Sequence, residues 1–283
     1  MIGFWRAFKG ELYLLRCRRS VRRAHILVLL VAVLHVIGSY FLLQAQAGVQ
    51  DLKPEDMAGW NFWPRLAAAA RASMYFVEVV VLALIAGSFP SEISEGVVRD
   101  PLVRRISRVS LTLARLVSAM ILPLTLYGVA VAGSWITAAA FFDPGPILEE
   151  GDILLDEIDV KEPILLALAH GLPPIFALGA FAVALSVAFR KGVVAVGVGL
   201  GFLLSARILQ EPLGEKAPWF FADTLAGMGP DSFLEQAAGF SLGFGNYYPE
   251  SYNDIVDLGW YASIPSLAAF MIAAVLLFRR RSL

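Results

Sequence analysis

The chain predicts an all-α membrane protein with six transmembrane helices, an N-terminal amphipathic interfacial helix, and a large outer loop with short helices before the last span. Three observations carry this prediction. The sequence is 58% hydrophobic with a mean hydropathy of +0.69, well above the roughly half-apolar usage of soluble domains. Only 17% of its residues are charged, and these gather at the ends of long apolar runs. Lysine and arginine, finally, fall mostly on one side of the spans. The net charge of -1 decides nothing as a sum, but its distribution sets a topology. Residues 1–283 read as a single transmembrane domain.

Residues 1–23 combine an interfacial helix with a basic collar. Phe4, Phe8, Leu12 and Leu15 fall on one helical face, with Trp5 at its edge and Arg6, Lys9 and Arg16 away from its centre. That is the pattern of a helix lying on a bilayer surface. The run RCRRSVRR at residues 16–23 then places the N-terminus in the cytoplasm. A secretory signal competes, because AQA at residues 45–47 resembles a cleavage site. The apolar run Ile26 to Leu43 exceeds a signal core of about 7–15 residues, however, and its charged leader is too long. A retained first span is expected. Cys17, the one cysteine, can form neither an internal disulfide nor a cysteine metal cluster, and reads as a small residue on a surface helix.

Five further spans follow, at about Leu66 to Phe89, Leu111 to Phe142, Ile164 to Phe189, Val193 to Leu209 and Trp260 to Phe278. Each approaches or exceeds the ~20 residues that cross ~30 Å of hydrocarbon, the fifth being the shortest. Six spans put both termini on the cytoplasmic side. On that assignment 17 of the 23 lysines and arginines are cytoplasmic; Lys53, Arg65, Arg71, Lys161, Arg207 and Lys216 are not. The asymmetry obeys the positive-inside rule.

The outer segments differ in character. Residues 44–65 form a polar loop with Trp60, Phe62 and Trp63 as anchors at headgroup level. Residues 143–163 are dense in carboxylates but lack the DxDxDG order of a calcium loop, so a solvated acidic loop is expected and no metal site. Residues 210–259 carry pieces such as WFFADTL that are too short to span and too apolar to float free. They are expected to form interfacial or re-entrant helices capping the bundle.

Within the spans, His35 and Glu78 lie near the middle of the first and second apolar runs, at similar depth if these are antiparallel neighbours. They form a candidate pair, serving either helix packing or proton transfer; a relay would need more such groups. His170 precedes Gly171, Pro173 and Pro174, which predict a kink near the outer leaflet with His170 facing water or protein. Gly197 and Gly201 have GxxxG spacing and predict close helix contact, within the bundle or across a dimer. The chain has no GxxxxGK[ST], HExxH, GxSxG or post-strand GxGxxG motif, so no catalytic residue and no cofactor of its own are expected. Nothing points to nucleic acid, and no internal repeat of the secondary-transporter kind is evident.

The charged stretch from Ser91 to Arg115 separates the second and third spans. Ser91 and Ser94 are possible helix caps, and Glu92 and Glu95 suit a first helical turn. Asp100-Pro101 would end such a helix. Arg104, Arg105 and Arg108 then form a cationic strip, and Arg115 enters the third span. A plain topology-setting basic loop would have the same composition.

The order of residues resembles the type-2 ABC transporter permeases. After their second span these carry a pattern close to E-G-T-L, a helical stretch, P-x-S-R, and a lysine seven residues on. Here Glu95-Gly96-Val97-Val98 matches the first part, Ser107-Arg108 the S-R, and Arg115 falls where the lysine stands. Val97 replaces the threonine, Arg105 replaces the proline, and Asp100-Pro101 interrupts the helix. The six-span layout, the amphipathic leader and the large loop before the sixth span are similar too, so the likeness covers essentially the whole chain.

The resemblance implies a permease in the bacterial plasma (inner) membrane that pairs with a second permease copy, identical or not. It also implies two copies of a separate ATPase subunit on the cytoplasmic face, which would carry the ATP and magnesium. Residues 91–110 would then form the coupling loop, with Glu92, Glu95, Gly96, Arg104, Arg105, Ser107, Arg108 and Arg115 as its positions. The substrate would be exported. Two other readings compete: a permease-like scaffold that assists maturation of an extracytoplasmic enzyme, and an intramembrane protease. The latter is suggested by Glu149-Glu150 but lacks the arginine expected a few residues later.

Overall fold

The structure, a computed structural model, describes residues 2–50, 53, 59–94, 107–149, 152–229, 232–241 and 249–280. Nine α-helices are present among them: α1 (Ile2–Cys17), α2 (Arg19–Gln50), α3 (Phe62–Ser94), α4 (Arg108–Phe141), α5 (Glu157–His170), α6 (Leu172–Ala188), α7 (Gly192–Leu213), α8 (Phe233–Ser241) and α9 (Pro249–Arg280). A short antiparallel hairpin, β1 (Ile147–Glu149) and β2 (Asp152–Leu155), joins α4 to α5. A 3-10 turn, Gly214–Trp219, follows α7.

Among the described residues five helical stretches are long and apolar enough to cross a membrane: Arg19–Val49, Phe62–Pro90, Val109–Phe141, Glu157–Ala188 and Gly259–Arg280. The apolar part of α7, Gly192–Ser205, is shorter than these. This is a mostly helical, multi-pass architecture.

Burial orders the helices. In α6, 14 of 17 residues are buried, so it is apolar all round because other helices surround it. Its most extensive partners are α9 and α3. α3 is the hub of the bundle, packing on α2, α4, α6, α7 and α8. By contrast α2 turns Leu27, Leu30, Leu34 and Phe41 outward, the composition of a lipid-facing helix.

Local chemistry fixes the breaks. Gly171 separates α5 from α6, and Pro173 and Pro174 open α6, where a missing N–H costs nothing. The prolines remove the helical donors to the Ala169 and His170 carbonyls, and one residue earlier the Tyr127 hydroxyl of α4 donates to the Leu168 carbonyl. The expected kink is therefore an interrupted helix pair. Ser107 caps α4, its Oγ accepting from the Ser110 N–H at 3.1 Å.

Several boundaries depart from the sequence-based expectation. α3 runs through Pro90 to Ser94, so Ser91 and Ser94 lie in its last turn. α5 begins at Glu157, seven residues ahead of the predicted span, and part of the acidic loop is the β1–β2 hairpin, with Ile147 fully buried. Phe62 and Trp63, expected as anchors at headgroup level, are buried against Trp135, ring centroids 5.2 and 5.7 Å away. Packing of α3 on α4 wins them for the protein interior. The apolar face of α1 likewise meets protein: Phe4, Ala7 and Phe8 pack with Phe89, Leu111 and Phe278, while Trp5 is exposed.

Candidate functional site

Two clusters of polar groups stand out within the apolar bundle. The first surrounds Glu78, midway along α3. Its carboxylate is 1% exposed and accepts two backbone hydrogen bonds, from the Gly227 N–H to Oε1 and the Met228 N–H to Oε2, each 2.7 Å. Both donors belong to residues 220–229, a non-helical segment whose positions 221–229 are all buried. The segment bonds to itself through turns: Asp223 N–H to the Phe220 carbonyl at 2.8 Å, Thr224 Oγ1 to the Phe221 carbonyl at 3.0 Å, and Gly229 N–H to the Leu225 carbonyl at 2.9 Å. Irregular backbone inside a bundle survives only where protein supplies its partners, since each unmet polar group costs several kcal/mol. A carboxylate accepts and never donates, which suits it to two orphan N–H groups.

Close approach makes the fit possible. A Cβ on Gly227 would lie 2.1 Å from the Tyr75 backbone nitrogen, so only glycine lets the segment touch α3 there. Phe220 and Phe221 anchor its other side, stacking among Phe181 of α6, Phe202 of α7 and Phe270 of α9 at centroid distances of 4.8 to 6.1 Å.

These contacts correct the proposed His35–Glu78 pair. Glu78 turns to the 227–228 backbone, and His35 Nδ1 is enclosed without a hydrogen-bond partner among the described residues. His170 Nδ1 accepts from Trp260 Nε1 of α9, with the rings edge to face at 5.7 Å, so His170 faces protein.

The second cluster lies where α1, the end of α3 and the start of α4 converge. Arg115, 8% exposed, reaches Glu11 of α1 at 3.4 Å and lies 4.6 Å over the Phe89 ring. One guanidinium thus ties three elements by an ion pair and a cation–π contact. Ser107 is exposed at the cap of α4, and Arg108 begins that helix. Of the other predicted coupling positions, Glu92 lies in the last turn of α3 with its side chain outside the described residues. Glu95, Gly96, Arg104 and Arg105 also lie outside them.

Among the described residues the GxxxG pair makes no close contact within the bundle. A Cβ on Gly197 or Gly201 would meet nothing within 4 Å, and both face outward. The close approaches of α7 are made by Gly192, where an added Cβ would lie 3.0 Å from the Gly87 carbonyl oxygen, and Gly199, where it would lie 2.7 Å from the Leu82 side chain. Sequence reasoning missed Glu11 and the 227–228 amides. The cue for Glu11 was its place among the apolar positions of the first helix; for the amides it was an apolar Ala-Gly-Met-Gly run in a loop too apolar to float free.

Among the described residues no group of histidine, cysteine, aspartate and glutamate is arranged to hold a metal ion. The fold and its two clusters define a multi-pass helical membrane protein with buried polar anchors. The chain belongs to the family described as Protein of unknown function (DUF2705), which matches residues 27–281. Comparison with curated proteins gives no match.

Proposed function

We propose that the chain is the membrane-spanning permease subunit of an ATP-driven ABC exporter of the type-2 kind. In this reading α7 completes a set of six spans, both termini are cytoplasmic, and the protein resides in a bacterial inner membrane. A separate ATPase subunit carries ATP and magnesium. A second permease copy completes the transporter, with the outward-facing Gly197 and Gly201 available to it.

The observation that carries the proposal is the Arg115 junction. In the sequence pattern Arg115 stands where the permease lysine stands, seven residues after Ser107-Arg108. In space it joins α1 to the two helix ends that flank residues 95–106. Force applied to that segment would reach α1, α3 and α4 together, as a two-state element biased by nucleotide requires. Charge on Glu92, Glu95, Arg104, Arg105 and Arg108 supplies docking specificity for the ATPase.

The test is co-purification from membranes in mild detergent. An ATPase subunit is expected to accompany the chain, and transport-coupled ATP turnover to fall sharply in Glu95→Ala and Arg108→Ala while the complex stays assembled. Full coupled turnover in both variants, or a chain that purifies with no ATPase, overturns the proposal.

A further inference from the structure

A small cavity of about 40 Å³ opens beside the Arg115 junction, between α1, the first turn of α2, the last turns of α3 and α6, and the start of α4. Its polar wall includes Arg18, Arg115, Glu11, Ser20 and Ser118, and its apolar wall includes Leu14, Leu15, Val21, Leu84 and Leu122. The charged groups sum to one net positive charge. Ser118 supplies an independent observation: it is 2% exposed, and its hydroxyl makes no hydrogen bond among the described residues. A buried hydroxyl without a partner costs about 1–3 kcal/mol unless something enters to meet it.

We propose that this cavity binds the phosphate of an anionic phospholipid. Arg18 and Arg115 face the phosphate, the Ser118 hydroxyl donates to it, and the leucine wall receives the glycerol and first acyl carbons. The volume is a few times the minimum that holds one water molecule, which suits a phosphate group and leaves the acyl chains in the bilayer. The position is right for such a ligand. The cavity lies at the same end of the bundle as the basic residues Arg16 to Arg23, beneath an amphipathic helix, where cationic pockets between helices recruit anionic headgroups. The lipid then becomes part of the floor on which α1 rests. This holds whether or not the chain is a transporter.

The test uses the full chain in mild detergent, exchanged with equal amounts of phosphatidylglycerol and phosphatidylcholine and read by native mass spectrometry. Phosphatidylglycerol is expected to be retained in preference, with Arg18→Gln lowering that preference about fivefold, the worth of one cation near a headgroup. Ser118→Leu, which fills the cavity, should abolish it. Glu11→Gln keeps the shape, removes the opposing charge and should strengthen it, an outcome no folding defect would imitate. Equal retention of the two lipids, or phosphatidylglycerol retention that Glu11→Gln leaves unchanged or weakens, overturns the proposal. Inorganic phosphate binding without lipid, and displacing it at millimolar concentration, would assign the site to a soluble anion and overturn it equally.

Discussion

Glu78 and Arg115 are enclosed by the same bundle, yet they are satisfied in opposite ways. Glu78 holds a loop by accepting two amide N–H groups at 2.7 Å, among tightly packed phenylalanines and a glycine that no other residue could replace. Arg115 reaches the Glu11 carboxylate of α1 at 3.4 Å and the face of the Phe89 ring, beside a cavity. The first arrangement is short, directional and backbone-bound, so it has one geometry. The second joins side chains that can exchange partners, so it can have two. The contrast predicts a stiff region around residues 220–229 and an adjustable one where α1 meets α3 and α4.

Substitutions can break that contrast, and the largest effect is expected at Gly227. In Gly227→Ala the new methyl collides with backbone, which cannot move aside as a side chain can, and a loss above about 3 kcal/mol is expected. Unfolding in mixed detergent micelles measures it. Glu78→Ala leaves two buried N–H groups without an acceptor and should cost about 2–5 kcal/mol. Glu78→Gln, which keeps one acceptor oxygen, should cost about 1–3 kcal/mol. Equal stability of the two variants would show that the amide contacts carry no weight.

Smaller effects are expected at the other cluster. Arg115→Lys loses the planar fork and part of the ring contact, for about 1 kcal/mol. Its sharper readout is faster proteolysis of α1, with the bundle intact. The smallest effect is expected at Gly197→Ala and Gly201→Ala, where a Cβ meets open space; monomer stability should be unchanged or rise by about 1 kcal/mol per site through helix propensity. Loss of dimer on crosslinking, with monomer stability kept, would assign that face to a second copy.

Much of this architecture was legible in the sequence because apolar periodicity and length leave few options in a membrane. The first, second, third and last spans fall where hydropathy put them, and the face of α1 bearing Phe4 and Phe8 is the face that packs. Other features depended on contacts between residues far apart in the chain. Hydropathy gives His35 and Glu78 the same depth but cannot see that a loop some 150 residues away offers Glu78 two amides. Pro90 reads as a helix end, yet α3 continues past it to Ser94. The GxxxG spacing identifies glycines on α7 but not the face they occupy; the pair at 192 and 199 has no such motif and makes the contact.

The single cysteine, exposed on α1, allows the central claim to be measured directly. One spin label at Cys17 and one at Val193→Cys, 86% exposed at the start of α7, report the distance across the Arg115 end of the bundle. A control pair, Phe41→Cys with Ile153→Cys in a Cys17→Ser background, reports on the opposite end, where both sites are 63% exposed. In the proposed complex with an ATPase subunit, nucleotide is expected to shift the first distance distribution and leave the second in place. A first pair that does not respond, or a response confined to the control pair, would contradict the account.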